Sequence, residues 1–104
     1  MVISLQSRVL RLHGRLDGAS VSEVRRELYD AIDGLREGVD TELIVDLSGV
    51  DSVDATGLGV IAGAHRRVTG RGHRLVLRGC SLQLRRALAM TRLTRVVAVE
   101  REAV

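Results

Sequence analysis

Ile44-Val45-Asp46-Leu47-Ser48-Gly49-Val50-Asp51-Ser52-Val53-Asp54-Ala55-Thr56-Gly57-Leu58-Gly59-Val60-Ile61 is the stretch on which the reading of this chain turns. Leu43 to Leu47 is a near-continuous apolar run, the pattern of a central strand covered on both faces. Residues 48–53 are short and polar and read as a loop. Helical spacing then begins. Val60, Ile61, Ala64 and Val68 recur as the buried face of a helix from about Gly57 to about Gly70. Thr56 stands where that helix starts and is its natural N-cap. Glycine in a helical first turn costs stability relative to alanine, so Gly57 and Gly59 imply that something approaches closely here.

Working outward, the same alternation of strand and helix continues in both directions. Residues Val2 to Leu16 read as two short strands meeting near Gln6-Ser7, with Leu10 and Leu12 alternating with Arg11 and His13. Val21, Val24, Leu28, Ile32 and Leu35 mark a first helix from about Ser20 to Glu37, and Ser20 with Glu23 forms a candidate capping box. Arg74 to Leu77 is the next strand. Leu82 to Met90 is a third helix, with Ser81 as N-cap and Leu84 and Leu88 facing inward. Val96 to Val99 is the last strand. The order β-β-α-β-α-β-α-β predicts an α/β fold, a mixed four- to five-stranded sheet with helices packed on it.

Composition narrows the function. The 104 residues suit one compact domain, 1–104. Hydrophobic residues make up 45% of them, but Tyr29 is the only aromatic, so the core must be aliphatic. No apolar run is long enough to span a bilayer, and the N-terminus lacks the parts of a signal peptide. A cytoplasmic protein without a membrane role is expected. Cys80 is the single cysteine, so no internal disulfide forms. The formal charge is +3, carried by Arg without Lys. No aromatic platform accompanies the Arg residues, which argues against nucleic-acid binding. His13, His65 and His73 show no ligand spacing, so neither a metal nor a cofactor is expected. Gly57-Leu58-Gly59 lacks the Lys and spacing of a phosphate-binding loop. No nucleophile, base and acid can be assembled, so the chain reads as a binding module and not an enzyme.

The candidate surface lies on the second helix. Thr56, Gly59 and Gly63 fall at i, i+3 and i+7 and predict one exposed face, with Arg66 or Arg67 at its foot. A partner's backbone or helix could lie against it. Asp54 can fix the preceding loop by accepting backbone N–H bonds and support Thr56. Asp17 can cap the first helix.

Read together, Gly14-Arg15-Leu16-Asp17, Val45-Asp46-Leu47-Ser48-Gly49-Val50, Asp54-Ala55-Thr56-Gly57-Leu58-Gly59, Arg74-Leu75-Val76-Leu77 and Leu88-Ala89-Met90-Thr91-Arg92-Leu93 resemble the STAS-domain family. The resemblance is to the bacterial anti-sigma-factor antagonists within it and covers nearly the whole chain. It implies a STAS-like fold and a partner switch. The family pattern at the helix start is Asp-Ser-Ser-Gly-Leu, and its second hydroxyl residue is phosphorylated by a serine/threonine-kinase-type anti-sigma factor. Thr56 occupies that position. Unphosphorylated protein would bind the kinase and free the sigma factor. Phosphorylated protein would release it until a PP2C-type phosphatase resets the site. With the resemblance suggesting partner contact at Asp17 and the helix face supplying Gly59, Gly63 and Arg66, the expected partner-binding residues are Asp17, Asp54, Ala55, Thr56, Gly57, Gly59, Gly63 and Arg66. The chain departs from the pattern in Ala55 for the first Ser, Thr56 for the commoner Ser, and Arg92 for the usual Gly. Two alternatives share the fold: an accessory subunit of a lipid-transport ATPase complex, and a signalling scaffold.

Overall fold

The sheet forms because each strand brings one aliphatic face to a shared core. In the computed structural model, which describes residues 1–100, β1 (Val2–Gln6) and β2 (Val9–Leu16) form an antiparallel hairpin. After α1 (Val21–Asp33) come β3 (Glu42–Val53), α2 (Ala55–Gly70), β4 (Arg74–Arg78), α3 (Leu82–Met90), a 3-10 turn (Leu93–Arg95) and β5 (Ala98–Val99). The spatial order is β1-β2-β3-β4-β5, and every pairing after the hairpin is parallel. This is the mixed α/β sheet expected from the alternation of elements.

Leu10 and Leu12 of β2, Leu43, Val45 and Leu47 of β3, and Leu75 and Leu77 of β4 share one cluster with residues of all three helices. Val24, Leu28 and Ile32 come from α1, Val60, Ile61, Ala64 and Val68 from α2, and Leu84 and Leu88 from α3. The helical periodicities therefore identify the buried faces correctly. A Leu→Ala change in such a core costs about 2–5 kcal/mol, so these positions carry much of the stability.

The opposite face of the sheet corrects one expectation. β3 is central, but it is not covered on both sides. Glu42, Ile44 and Asp46 point away from the helices, and charged pairs replace a second layer. Arg74 Nε lies 3.0 Å from Glu42 Oε2, Arg78 Nε 3.0 Å from Glu100 Oε1, and Arg11 Nε 3.5 Å from Asp46 Oδ2. Burial opposes ionisation of Asp46. The Ser48 backbone N–H, the Ser48 side chain and Arg11 outweigh it and hold the carboxyl below its ordinary value.

Three boundaries also move. β3 runs on through 48–53, the polar segment read as a loop. Those residues pair with the second half of β2, Gly14 opposite Val50 and Leu16 opposite Val53, through two shifts of register. α1 ends at Asp33, not Glu37. β5 holds only Ala98 and Val99, because Leu93–Arg95 turns as a 3-10 helix first. The capping box is absent as well. The Ser20 hydroxyl donates to Arg15 O at 2.7 Å, so its side chain ties the strand end and does not cap α1.

α1 and α2 are clamped together at their wet edge. Arg67 stacks over Tyr29, 4.6 Å from the ring centroid, and donates to both oxygens of Asp33 at 3.1 and 2.9 Å. Arg71 reaches the same carboxylate at 3.1 Å. The hydrogen bonds from Arg67 lower the Asp33 pKa. A carboxylate depressed in the folded state stabilises above its unfolded value and loses that contribution as the pH falls through the folded one. Asp33→Asn should therefore be less stable than wild type at pH 7, and the difference should vanish below the ordinary carboxylate range of about 4. Urea midpoints measured across pH check this.

Candidate functional site

The first turn of α2 is built by the end of β2. Asp54 follows β3 directly, and its backbone N–H donates to Leu16 O at 3.2 Å. Its side chain then accepts from Gly57 N–H at 2.9 Å, which makes Asp54 the N-cap. The expectation that Thr56 caps the helix is thereby corrected. An N-cap oxygen must reach the N–H two or three residues ahead, and Asp54 does so. Thr56 is instead the second helical residue. It is exposed, and its hydroxyl makes no hydrogen bond among the described residues. The hydroxyl is therefore free to react or to be covered.

The two glycines separate. Gly57 is buried. A Cβ there would collide with Leu16 O, lie 2.8 Å from Leu16 Cγ and 3.0 Å from Val53 Cγ1. The close approach inferred from the sequence is thus made by the chain's own strand. Gly59 is different: it is exposed, with nothing within 4 Å of where a Cβ would stand.

The expected face is also divided. Gly63 is half-buried on the α1 side, where an added Cβ would lie 3.2 Å from Tyr29 Oη. Gly59 opens the other way, into a shallow groove with Ala55, Leu58 and Ala62 across from Thr91 and Leu93. Arg66 lies ten residues beyond Thr56, about 15 Å along the helix axis at ~1.5 Å per residue, so it cannot serve that hydroxyl. Asp17 does reach the neighbourhood. It follows Leu16, and its Oδ1 accepts from Ala19 N–H at 3.0 Å and Ser20 N–H at 3.3 Å. Asp17, Asp54, Ala55, Thr56 and Gly57 therefore gather at one end of the sheet, while Gly59, Gly63 and Arg66 extend along α2.

Leu58, Ala62, Thr91 and Leu93 do not stand out in the sequence as site residues. A signal exists for part of this surface. Ala55, Gly59, Ala62 and Arg66 fall at i, i+4, i+7 and i+11, directly opposite the buried face of α2. Thr91 and Leu93 belong to a turn that no helical spacing announces. Among the described residues no cluster of three or more His, Cys, Asp or Glu could hold a metal ion. No helix among them is long and apolar enough to cross a membrane.

The site is thus an uncommitted hydroxyl at a helix N-terminus with a shallow groove beside it, on a mixed sheet covered by helices on one face. The model of the STAS domain matches residues 2–103, and the chain belongs to that family. Relatives are anti-sigma-factor antagonists. The anti-sigma-B factor antagonist of Listeria monocytogenes is 33% identical over 89 residues, 84% of this chain and 73% of that protein. The anti-sigma F factor antagonist of Lysinibacillus sphaericus is 28% identical over 85 residues, 82% of this chain and 70% of that protein. The Bacillus cell fate determinant SpoIIAA in its phosphorylated form shares the fold with a TM-score of 0.68. That match has 24% identity and covers 97% of this chain and 91% of the solved one.

The contrast between the glycines is measurable. Gly57→Ala should destabilise by about 1–3 kcal/mol, the range for overpacking a tight site. Gly59→Ala should stabilise by up to about 1 kcal/mol, the helix-propensity difference between the two residues. Chemical unfolding of both variants checks the pair.

Proposed function

We propose that this chain is an anti-sigma-factor antagonist switched by phosphorylation at Thr56. The observation that supports it most is the exposed, uncommitted Thr56 hydroxyl in the first turn of α2, with the N-cap role taken by Asp54. The family membership and the named function of its relatives point the same way. In this reading the unphosphorylated chain binds a serine/threonine-kinase-type anti-sigma factor in the cytoplasm and frees a sigma factor for transcription. The chain supplies the acceptor and the binding surface, and the partner supplies catalysis.

The switch follows from charge. The Thr56 oxygen would attack the γ-phosphorus of ATP, lose its proton and expel ADP. The product carries about −1.5 to −2 charge at neutral pH. Within the domain that charge faces the positive end of α2, which stabilises anions. In a complex the new charge, set beside the chain's own Asp54 two residues away, must be desolvated against the partner. Phosphorylation therefore breaks the complex and spares the fold. A PP2C-type phosphatase would restore the hydroxyl. Asp17, Asp54, Ala55 and Gly59 would form the contact around it, and Gly57 would act by seating the turn.

The test is intact mass after incubation with ATP and the candidate kinase. Wild type should gain one phosphate and Thr56→Ala none, and Thr56→Glu should bind the kinase at least tenfold more weakly than wild type. Phosphate on Thr56→Ala, or undiminished binding by Thr56→Glu, would contradict the reading.

A further inference from the structure

Charge is segregated along this chain. Eleven of the 13 acids lie within residues 1–54, and between Ala55 and Val99 there is no Asp or Glu against nine Arg. Folding neutralises part of that excess. Arg67 and Arg71 pair with Asp33, Arg74 with Glu42 and Arg78 with Glu100. Arg66, Arg92 and Arg95 are exposed and form no ion pair among the described residues.

These three residues neighbour, along the chain or one helical turn on, the lining of one apolar feature. The groove is lined by Ala55, Leu58, Gly59 and Ala62 of α2 and by Thr91 and Leu93. Arg92 lies between the last two, at φ +63°, and Arg95 closes the same 3-10 turn. Arg66 continues the outer face of α2 one turn past Ala62. Met90, the last residue of α3 and next in the chain to Thr91, is 86% exposed. An apolar floor flanked by unpaired Arg66, Arg92 and Arg95, with Asp54 the acid beside its Ala55 end, selects an occupant with an apolar ridge and acidic flanks facing the Arg side. Nucleic acid would leave the floor unused. A flat lipid surface matches a concave groove poorly.

We infer that the groove between α2 and the α3 corner docks an acidic amphipathic helix of a protein partner. The inference rests on the antagonist reading only in identifying that partner with the anti-sigma kinase. It specifies what the kinase must present: an apolar helix edge bordered by Asp or Glu, lying along α2 and leading to Thr56. Opposite charges flanking such a contact set association rate and salt dependence, because screening acts over about 8 Å at physiological ionic strength.

Two probes test it. The first is the candidate kinase, titrated against wild type, Arg66→Glu, Arg92→Gly and Ala62→Gln over a range of salt. Glycine suits φ +63°, so Arg92→Gly removes charge without straining the turn. Each variant should bind about five- to tenfold more weakly, with the two Arg variants less sensitive to salt. Kinase binding with unchanged affinity in all three overturns the inference and leaves the antagonist reading standing. The second probe is independent of any kinase. It is a helical peptide with a leucine ridge and glutamate flanks, compared with its lysine-flanked twin. Amide shifts at Ala55, Gly59, Ala62 and Leu93 with the glutamate peptide alone support the groove even where the kinase fails to bind. An equal response to both peptides, no response to either, or binding only to phosphatidylglycerol vesicles overturns it.

Discussion

The Leu16 carbonyl sets the geometry on which the site depends. It accepts the Asp54 N–H and lies against the Cα of Gly57, so the end of β2 and the first turn of α2 share one small volume. Each neighbouring residue is constrained by that contact. Gly57 can have no side chain. Asp54 is left with its carboxylate over the helix N-terminus, where it caps. Thr56, one position before the seated glycine, is turned outward with its hydroxyl unused. Asp17 follows Leu16 and is brought to the same end of the sheet. One close backbone contact thus links strand pairing to the exposure of the residue proposed as the switch.

Periodicity makes the helices legible from the residues alone. Val60, Ile61, Ala64 and Val68 repeat because α2 must bury one side, and the buried residues are those four together with Gly57. The end of β3 is hidden for a different reason. Ser48, Gly49, Asp51 and Ser52 hold their strand by backbone hydrogen bonds to the bulged half of β2, and they bury little apolar surface. Hydrophobic pattern cannot report a strand of that kind. The uncovered face of β3 is hidden too, because Ile44 looks like a core residue until the Arg and acidic neighbours on that face are placed beside it.

The site is readable as a set of residues more than as a geometry. Asp54, Thr56 and Gly57 stand out as residue types, but which of two oxygen-bearing side chains caps the helix depends on the path of the chain out of β3. Helical spacing sets Gly57 on the stripe of Val60, Ile61 and Ala64 and Gly59 opposite it, but not what each one meets. One answers to Leu16, from a different strand, and the other to open solvent. Gly63 and Gly59 likewise part company only when α1 and Tyr29 are in place on one side and Thr91 and Leu93 on the other. Contacts between distant segments decide these roles, and a single sequence shows no such contacts.

The central claim is that a phosphate at Thr56 is compatible with the fold and incompatible only with the complex. It is tested most directly by the thermal midpoint of protein phosphorylated at Thr56, compared with unmodified protein in the same buffer. An anion at a helix N-terminus contributes about 0.3–1 kcal/mol. In a domain of this size that is a rise of at most a few degrees, at ~4–8 °C per kcal/mol, from which repulsion by the capping Asp54 subtracts. An equal or higher midpoint is the result expected. A midpoint lowered by ten degrees or so would contradict the account, since the phosphate would then act by disrupting the turn that Leu16 and Gly57 hold together.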